Sequence, residues 1–243
     1  MRDQAEKLRM LARALKSQVE DDIKNFADSQ VVAAETKPKT RTFAVTSGKG
    51  GVGKTNITIN LALALMKQGH RVIVLDADLG LANVDVVLGL KAQYNLSHLI
   101  SGEKSIKDII TTSPSGLQVI AGGSGMQHLA NLPRKKLQKF IKSLSELEGM
   151  ADVLIIDTGA GLSRSVMSFV MAADEVIVIA TPEPTSITDA YGMVKTLYNT
   201  RPESKVHLVI NRVASAEEAN ETANKLTVVA QKFLQLPGLP QPF

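Results

Sequence analysis

The sequence predicts an α/β fold in which a mostly parallel central sheet is flanked by helices on both faces. Three observations support this prediction. Short apolar runs recur along the chain, segments with a helical period separate them, and one run leads directly into a glycine-rich loop. Because the runs are continuously apolar, both faces of most strands are expected to be covered.

The predicted strands and helices alternate from residue 42 onward. The strands are expected at Thr42–Thr46, Val72–Leu75, Leu117–Ala121, Val153–Ile156, Val176–Ala180 and Val206–Ile210. The helices are expected at Lys54–Gln68, Pro133–Glu148, Ser163–Met171, Ser186–Asn199 and Ala216–Gln235. Helical crossovers of this length connect parallel neighbours, which favours a parallel sheet.

The start of the chain is predicted to be a separate amphipathic helix within residues 1–27. Residues 28–40 are polar, lack a period and contain Pro38, which is typical of a linker. The globular domain is therefore expected at residues 41–243. The apolar positions that recur with a helical period in the first segment are Leu8, Leu11, Leu15, Val19 and Ile23.

Composition excludes several classes of site. The chain has no cysteine, so it cannot supply a disulfide, a cysteine-ligated zinc, an iron–sulfur cluster or a thiol nucleophile. The four histidines show no i, i+4 pairing that would indicate a transition metal. A net charge of +4 is a mild excess, so nucleic acid is not an expected partner. Without a signal peptide or a membrane-length apolar run, a cytoplasmic location is expected.

One loop carries a phosphate-binding motif between a predicted strand and a predicted helix. The pattern G-x-x-x-x-G-K-[ST] is matched by Gly48-Lys49-Gly50-Gly51-Val52-Gly53-Lys54-Thr55. Glycines allow the backbone to curl around phosphate oxygens, so that N–H groups and the positive helix end point inward. Lys54 would contact the β- and γ-phosphates, and the Thr55 hydroxyl would bind Mg²⁺. The sequence thus predicts a P-loop NTPase that binds a nucleoside triphosphate and Mg²⁺.

Carboxylates follow two of the predicted strands. Asp76 and Asp78 come after the second strand, and Asp157 ends an apolar run before a glycine-rich turn. The carboxyl ends of parallel strands form the crevice where open α/β sheets bind ligands. Asp157 is therefore expected to hold Mg²⁺ through water, and Asp76 to lie near the Mg²⁺ shell.

The phosphate loop contains an additional lysine, Lys49, and resembles the deviant Walker A motif of the MinD/ParA class of P-loop ATPases. The resemblance implies a two-fold ATP-dependent homodimer in which Lys49 reaches the partner's phosphates, as an arginine finger does. It also implies that Asp78 orients the attacking water. Asn211, followed by Arg212, would read adenine through its amide. The turn at residues 181–185 would line the base pocket, although proline-rich βα loops are also common without that role.

Two further features resemble one branch of this class, the FlhG (or FleN) regulators of flagellar number and placement. Asn56 follows Thr55, and the segments at residues 76–83 and 157–161 read Asp-Ala-Asp-Leu-Gly-Leu-Ala-Asn and Asp-Thr-Gly-Ala-Gly. The N-terminus matches the D-Q-A-x-x-L-R element with which such proteins stimulate the GTPase FlhF. The partner-binding residues implied by this match are Asp3, Gln4, Ala5, Leu8 and Arg9. Flagellar switch or C-ring proteins, and recruitment to the cell pole or basal body, are further expectations.

Alternative interpretations accompany these expectations. The N-terminal helix could instead lie on its own domain or pair as a coiled coil, and the ATPase could serve DNA segregation or division-site placement. A basic helical surface around Arg134, Lys135, Lys136, Lys139 and Lys142 could contact DNA or lipid, although such runs usually form a solvated face.

The last nine residues contain three prolines and one glycine. Interior prolines remove backbone donors and clash with the preceding turn, so these residues are not expected to form an amphipathic helix. The C-terminal strand and membrane helix usual in the resembling proteins are therefore expected to be missing here. The expectation for this chain is no ATP-dependent membrane binding and a less stable sheet edge.

Overall fold

Seven strands form one sheet in the computed structural model, which describes residues 40–78, 82–123 and 133–234. The strands are β1 (Arg41–Ser47), β2 (Val72–Ala77), β3 (Ile110–Thr112), β4 (Gln118–Ile120), β5 (Val153–Ala160), β6 (Glu175–Ala180) and β7 (Lys205–Ile210). Their order across the sheet is β3-β4-β2-β5-β1-β6-β7. Every pair is parallel except β3 with β4.

The six predicted strands are confirmed, and β3 is an addition. It pairs antiparallel with β4 at the edge of the sheet and is three residues long. A run of that length has no measurable period, so the sequence offered no signal for it.

Seven α-helices connect the strands among the described residues. They are α1 (Lys54–Lys67), α2 (Val84–Val87), α3 (Leu96–Ser101), α4 (Arg134–Ser143), α5 (Arg164–Ala172), α6 (Pro184–Thr200) and α7 (Ala216–Leu234). All five predicted helices are present, and α2 and α3 were not predicted because each is shorter than two turns. The helix predicted to reach Glu148 continues past Ser143 as a tighter 3-10 turn over Leu144–Leu147.

The sheet separates two apolar clusters. On one face, α4, α5, α6 and α7 pack over strand residues such as Ile73, Ile156 and Val178. On the other face, α1 packs its buried residues Ile59 and Ala62 against the central strands. The order β2-β5-β1 puts the carboxyl ends of these three strands side by side, at the edge where the phosphate loop begins.

β7 differs from the fully buried strands β2 and β6. Its residues alternate between buried and partly or fully exposed, with Val206, Leu208 and Ile210 buried on the face toward α6 and α7. Its other face, including His207 and Val209, is only half-buried. The helices described here therefore cover the two faces of this edge strand unequally.

Several predicted segments lie outside the described residues: the helix within residues 1–27, nearly all of the linker at residues 28–40, and the proline-rich residues 235–243. Asp3, Gln4, Ala5, Leu8 and Arg9 belong to the first of these. Within the described ranges, no helix combines the length and the apolar character that crossing a membrane requires.

Candidate nucleotide-binding site

The phosphate loop joins the end of β1 to the start of α1. Gly51 and Gly53 adopt φ values of 76° and 100°, in the left-handed region that glycine tolerates best. Gly53 is the N-cap of α1 and provides no side-chain hydrogen bond to it. The first-turn N–H groups of α1 are therefore not capped by a side chain at this position, which suits an anionic ligand.

Gly48 lies against α6, and its lack of a side chain is required there. A Cβ atom added at Gly48 would lie 2.2 Å from the carbonyl carbon of Asp189 and 2.3 Å from its oxygen. Because these are backbone atoms of a long helix, a larger residue would displace either the loop or the helix. By contrast, a Cβ at Gly50 would meet no atom within 4 Å.

Lys54 is largely buried at the start of α1. Burial lowers the pKa of its ammonium group, and the negative charges of Asp157 and Asp78 oppose this shift. The lysine thus faces two acids from different strands, in the position where a phosphate-binding cation is needed.

Asp157 lies almost fully buried within β5, which continues to Ala160 instead of ending at Ile156 as predicted, and its carboxylate lies against α1. The Thr55 hydroxyl donates to Asp157 Oδ2 at 2.6 Å, and the Thr58 hydroxyl donates weakly to Oδ1 at 3.4 Å. Burial raises the pKa of Asp157 to about 6, against the lowering effects of Thr55 and Lys54. Thr55 and Asp157 therefore bring together two oxygen donors of the kind that Mg²⁺ prefers, and Mg²⁺ takes few protein ligands.

Asp76 is the register neighbour of Asp157 in the β2–β5 pair and is fully buried. Its carboxylate accepts backbone N–H bonds from Asp78 (3.2 Å), Asn83 (2.9 Å) and Val84 (3.0 Å). Burial raises its pKa to about 7, and the charge of Asp157 contributes to the increase. Asp76 therefore holds the segment that enters α2 in place, an interaction that the sequence did not predict. Its place near Mg²⁺ remains a prediction.

Asp78 lies close to Gly159, which the sequence placed in a turn after Asp157 but which belongs to β5. A Cβ atom added at Gly159 would lie 3.4 Å from Asp78 Oδ1. The side chain is partly exposed, in contrast to Asp76 and Asp157. Asp78 is thus the most accessible of the three acids, as a group that contacts water must be.

Lys49 projects from the loop toward the turn after β6. Its Nζ atom donates to Glu183 Oε2 at 2.5 Å and to the Thr185 hydroxyl at 3.1 Å. Both charged side chains are partly exposed, at 38% and 55%. In the single chain, Glu183 and Thr185 at the start of α6 therefore hold Lys49, and the lining of a base pocket by residues 181–185 stays a prediction.

Asn211 follows β7 and contacts the phosphate loop. Its Nδ2 atom donates to the carbonyl of Val52 at 2.8 Å, and its backbone N–H donates to Ala180. Arg212 has a φ of 60° and is the one non-glycine residue with a left-handed φ within the described ranges. Asn211 thus braces the loop, and adenine recognition by its amide stays a prediction. Asn56 is exposed on α1.

The structure therefore gathers Lys54, Thr55, Asp76, Asp78 and Asp157 at one edge of the sheet, with Lys49 and Asn211 beside them. Sequence reasoning missed Thr58 and Asp189, and it named Glu183 only within the predicted base-pocket turn, without its contact to Lys49. Thr58 lies one helical turn after Lys54, so the helix period could have indicated it. Glu183 and Asp189 act across long sequence separations, for which the sequence contains no local signal.

Comparisons with known proteins agree with this geometry. A family model described as an AAA domain matches residues 40–210. The antiactivator FleN of Pseudomonas aeruginosa is 43% identical over 80% of this chain and 69% of its own length. The flagellum site-determining protein YlxH of Helicobacter pylori is 39% identical over 81% of this chain and 66% of its own length. The chain thus spans about two thirds of these relatives.

A solved structure is also similar. The septum site-determining protein MinD of Pyrococcus horikoshii, determined as a complex with Mg-ADP, superimposes with a TM-score of 0.67 at 29% identity. The match covers 77% of each chain. Together with the loop, its additional lysine and the acids at the strand ends, these similarities show that the chain belongs to the FleN/FlhG-type flagellar number regulators of the MinD/ParA class of P-loop ATPases.

Proposed function

We propose that this protein is an ATPase that dimerises when it binds ATP and regulates the number and placement of flagella. The observation that carries the proposal is the convergence of Lys54, Thr55, Asp157 and Asp78 beside the glycine-rich loop. The family supports ATP as the ligand, since its relatives include a MinD solved with Mg-ADP.

In this proposal each residue has a defined task. The loop N–H groups and Lys54 bind the β- and γ-phosphates, and Thr55 and Asp157 hold Mg²⁺, directly or through water. Bound Mg²⁺ neutralises charge on the phosphate oxygens. Asp78 accepts a hydrogen bond from the attacking water and orients it toward the γ-phosphate. Asp76 keeps the adjoining segment in position through the backbone N–H groups of Asn83 and Val84.

Lys49 supplies the link between nucleotide and dimer. Its side chain is partly exposed at the rim of the site, from which a cation can reach the phosphates of a second copy. To do so it must leave Glu183 and Thr185. A cation delivered by a second copy offsets the negative charge that develops during phosphoryl transfer, so that hydrolysis requires the dimer.

The partner-binding part of the proposal concerns the N-terminal segment. Residues 3–9 would bind FlhF and stimulate its GTPase activity, with Gln4 forming paired hydrogen bonds and Leu8 anchoring the helix. Flagellar switch or C-ring proteins are further proposed partners, with recruitment to the pole or basal body. These assignments rest on the sequence match and on the FleN and YlxH relatives.

Two variants test the ATPase assignment. Lys54→Ala removes the buried cation and should abolish nucleotide binding. Asp78→Ala should retain binding and lose hydrolysis, because only the water position is affected. Asp85→Ala, in the neighbouring α2, is the matched control and should hydrolyse ATP at the wild-type rate. Normal hydrolysis by Asp78→Ala would show that another group orients the water.

A separate experiment tests whether the N-terminal segment stimulates FlhF. Removal of residues 1–25 should leave ATP binding intact and abolish stimulation of FlhF GTPase activity. Gln4→Ala should reduce stimulation in the full chain, and Lys24→Ala is its control.

An electrophoretic shift assay with ATP at several salt concentrations tests the DNA-segregation alternative, for which strong, salt-sensitive DNA binding would be the signature.

A further inference from the structure

An apolar groove lies on the α1 face of the sheet, away from the nucleotide site. It has a volume of about 510 Å³ and runs between α1 and strands β1, β6 and β7. One wall is a stripe of α1 residues four positions apart, and the floor comes from the three strands. These apolar residues are Ile57, Leu61, Leu65, Phe43, Ile177 and Val209.

At the end of the groove where β1 starts, the polar side chains of Arg41, Glu175 and His207 contact one another. Glu175 is buried there and accepts a hydrogen bond from Arg41 Nε at 2.8 Å. His207 Nε2 lies 2.6 Å from the other carboxylate oxygen of Glu175. Because these groups contact one another, the surface left for an occupant is mainly apolar.

Several side chains that line the groove belong to the hydrophobic core but are only partly covered by other residues. Phe43, Leu61 and Val209 are half-buried although they join the apolar cluster beneath α1. A sheet whose other face is covered by four helices requires cover here as well, since large apolar side chains lose stabilisation when water remains against them. Contiguous apolar surfaces of this kind mark docking sites.

We propose that the groove is the docking site of this chain's own N-terminal segment, residues 3–26. That segment presents Leu8, Leu11 and Leu15 at i, i+3 and i+7, the anchor spacing of a helix that lies in a groove. The facing stripe Ile57–Leu65 extends about 12 Å along α1, which matches two turns of a docked helix.

The chain path favours this occupant. Arg41 is the first residue of β1 and itself lines the groove, so the preceding residues leave the sheet at its rim. A flexible linker over residues 28–40 would have a root-mean-square span of about 20 Å. Short tethers give effective concentrations in the millimolar range, so even an intrinsic Kd of about 1 mM would leave a substantial fraction docked.

The other terminal segment fits less well. Residues 235–243 contain three prolines and only three large apolar side chains. They follow α7, whose buried residues Ala223, Leu226 and Ala230 pack on the opposite face of the sheet. The N-terminal segment offers the longer apolar stripe, and it is connected through residues 28–40 to Arg41, which lines the groove.

The consequence for regulation rests on the proposed function. Leu8 would anchor the segment both in the groove and, in the proposed function, to FlhF, so the two states exclude each other. Docking therefore prevents the segment from binding FlhF until the segment leaves the groove.

The absence of cysteine allows a direct test in the full chain. Leu15→Cys combined with Leu65→Cys should oxidise to an intrachain disulfide, at a rate independent of protein concentration. Leu15→Cys with Val228→Cys is the control, because Val228 is 59% exposed on α7. The groove pair should form its disulfide at least tenfold faster. Equal rates, or a disulfide that links two chains, would overturn the proposal.

A second variant separates docking from folding. Leu11→Ser changes one residue of the leucine stripe and should slow disulfide formation in the groove pair without changing the thermal unfolding of residues 40–234. An unchanged rate would contradict docking through the leucine stripe. FlhF stimulation by the reduced and oxidised forms then tests the regulatory consequence. We expect stimulation only by the reduced form. Equal stimulation by both forms would refute the idea that docking prevents FlhF binding. A disulfide without stimulation by either form would refute the FlhF assignment and leave docking standing.

Discussion

Two buried carboxylates on the neighbouring strands β2 and β5 make the site sensitive to pH. Asp157 has a pKa raised to about 6 by burial, and Asp76 one raised to about 7. Folded protein therefore binds more protons than unfolded protein between about pH 4 and pH 7. In the absence of nucleotide, these groups lower the free energy of unfolding as pH rises through that window.

Metal binding should show the opposite dependence. Mg²⁺ requires ionised Asp157, so its affinity is expected to fall by up to about tenfold per pH unit below pH 6. Calorimetric titration of Mg²⁺ with nucleotide between pH 5 and pH 8 measures this directly. Asp157→Asn should weaken Mg²⁺ binding and flatten the profile. A wild-type affinity that is constant over this range would show that Asp157 does not titrate in the binding step.

The contact between Lys49 and Glu183 is expected to compete with dimerisation. The Lys49 ammonium holds the pKa of Glu183 below its usual range. Exposed ion pairs are weak, and each of the two copies must release one such pair on dimerisation, so Glu183→Gln should lower the protein concentration for half-dimerisation in ATP by a few-fold. Glu203→Gln, which removes the exposed partner of Arg201, is the control. Sedimentation in ATP is the measurement, and weaker dimerisation of Glu183→Gln would refute competition.

For single residues, the sequence indicated which side chains lie in the candidate site better than it indicated the contacts that they make there. Lys54 and Thr55 follow from a motif whose spacing itself creates the geometry, and Asp157 follows from its place after an apolar run. Asp76 was predicted near Mg²⁺ because the sequence shows that it follows an apolar run. Its hydrogen bonds with the backbone of Asn83 and Val84 could not be predicted, because the segment entering α2 turns back toward Asp76 only in the folded structure.

Among the secondary-structure elements, the packing of α6 behind the phosphate loop sets the strictest requirement. Gly48→Ala would place Cβ 2.2 Å from the Asp189 carbonyl carbon, and this clash should cost about 1–3 kcal/mol of stability. Gly50→Ala, where Cβ meets no atom within 4 Å, should unfold at nearly the wild-type temperature. Equal unfolding temperatures for the two variants would contradict the packing described here.

Prediction of the elements succeeded where length and period were sufficient. The long runs in β2, β5 and β6 are buried on both sides and read as continuous apolar segments. β3, α2 and α3 are too short to establish a period. β7 was predicted from the same kind of run as β6, but its half-buried face could not be foreseen because it depends on which helices cover that face.

For the whole molecule, the candidate nucleotide site and the point where the chain enters the sheet lie at opposite ends of β1. The site lies toward the carboxyl ends of β1, β2 and β5, and the chain enters at Arg41. In the proposed function, nucleotide would change the oligomeric state at one end of the sheet, and the partner-binding segment would be attached at the other.

The molar mass of Asp78→Ala in Mg-ATP, measured by light scattering, tests the central claim most directly. The variant should bind ATP without hydrolysing it and should therefore accumulate as a dimer of twice the monomer mass, returning to monomer in ADP. Lys49→Ala in the same background should shift this equilibrium toward monomer. A monomeric mass for Asp78→Ala at saturating ATP would contradict an ATP-dependent dimer.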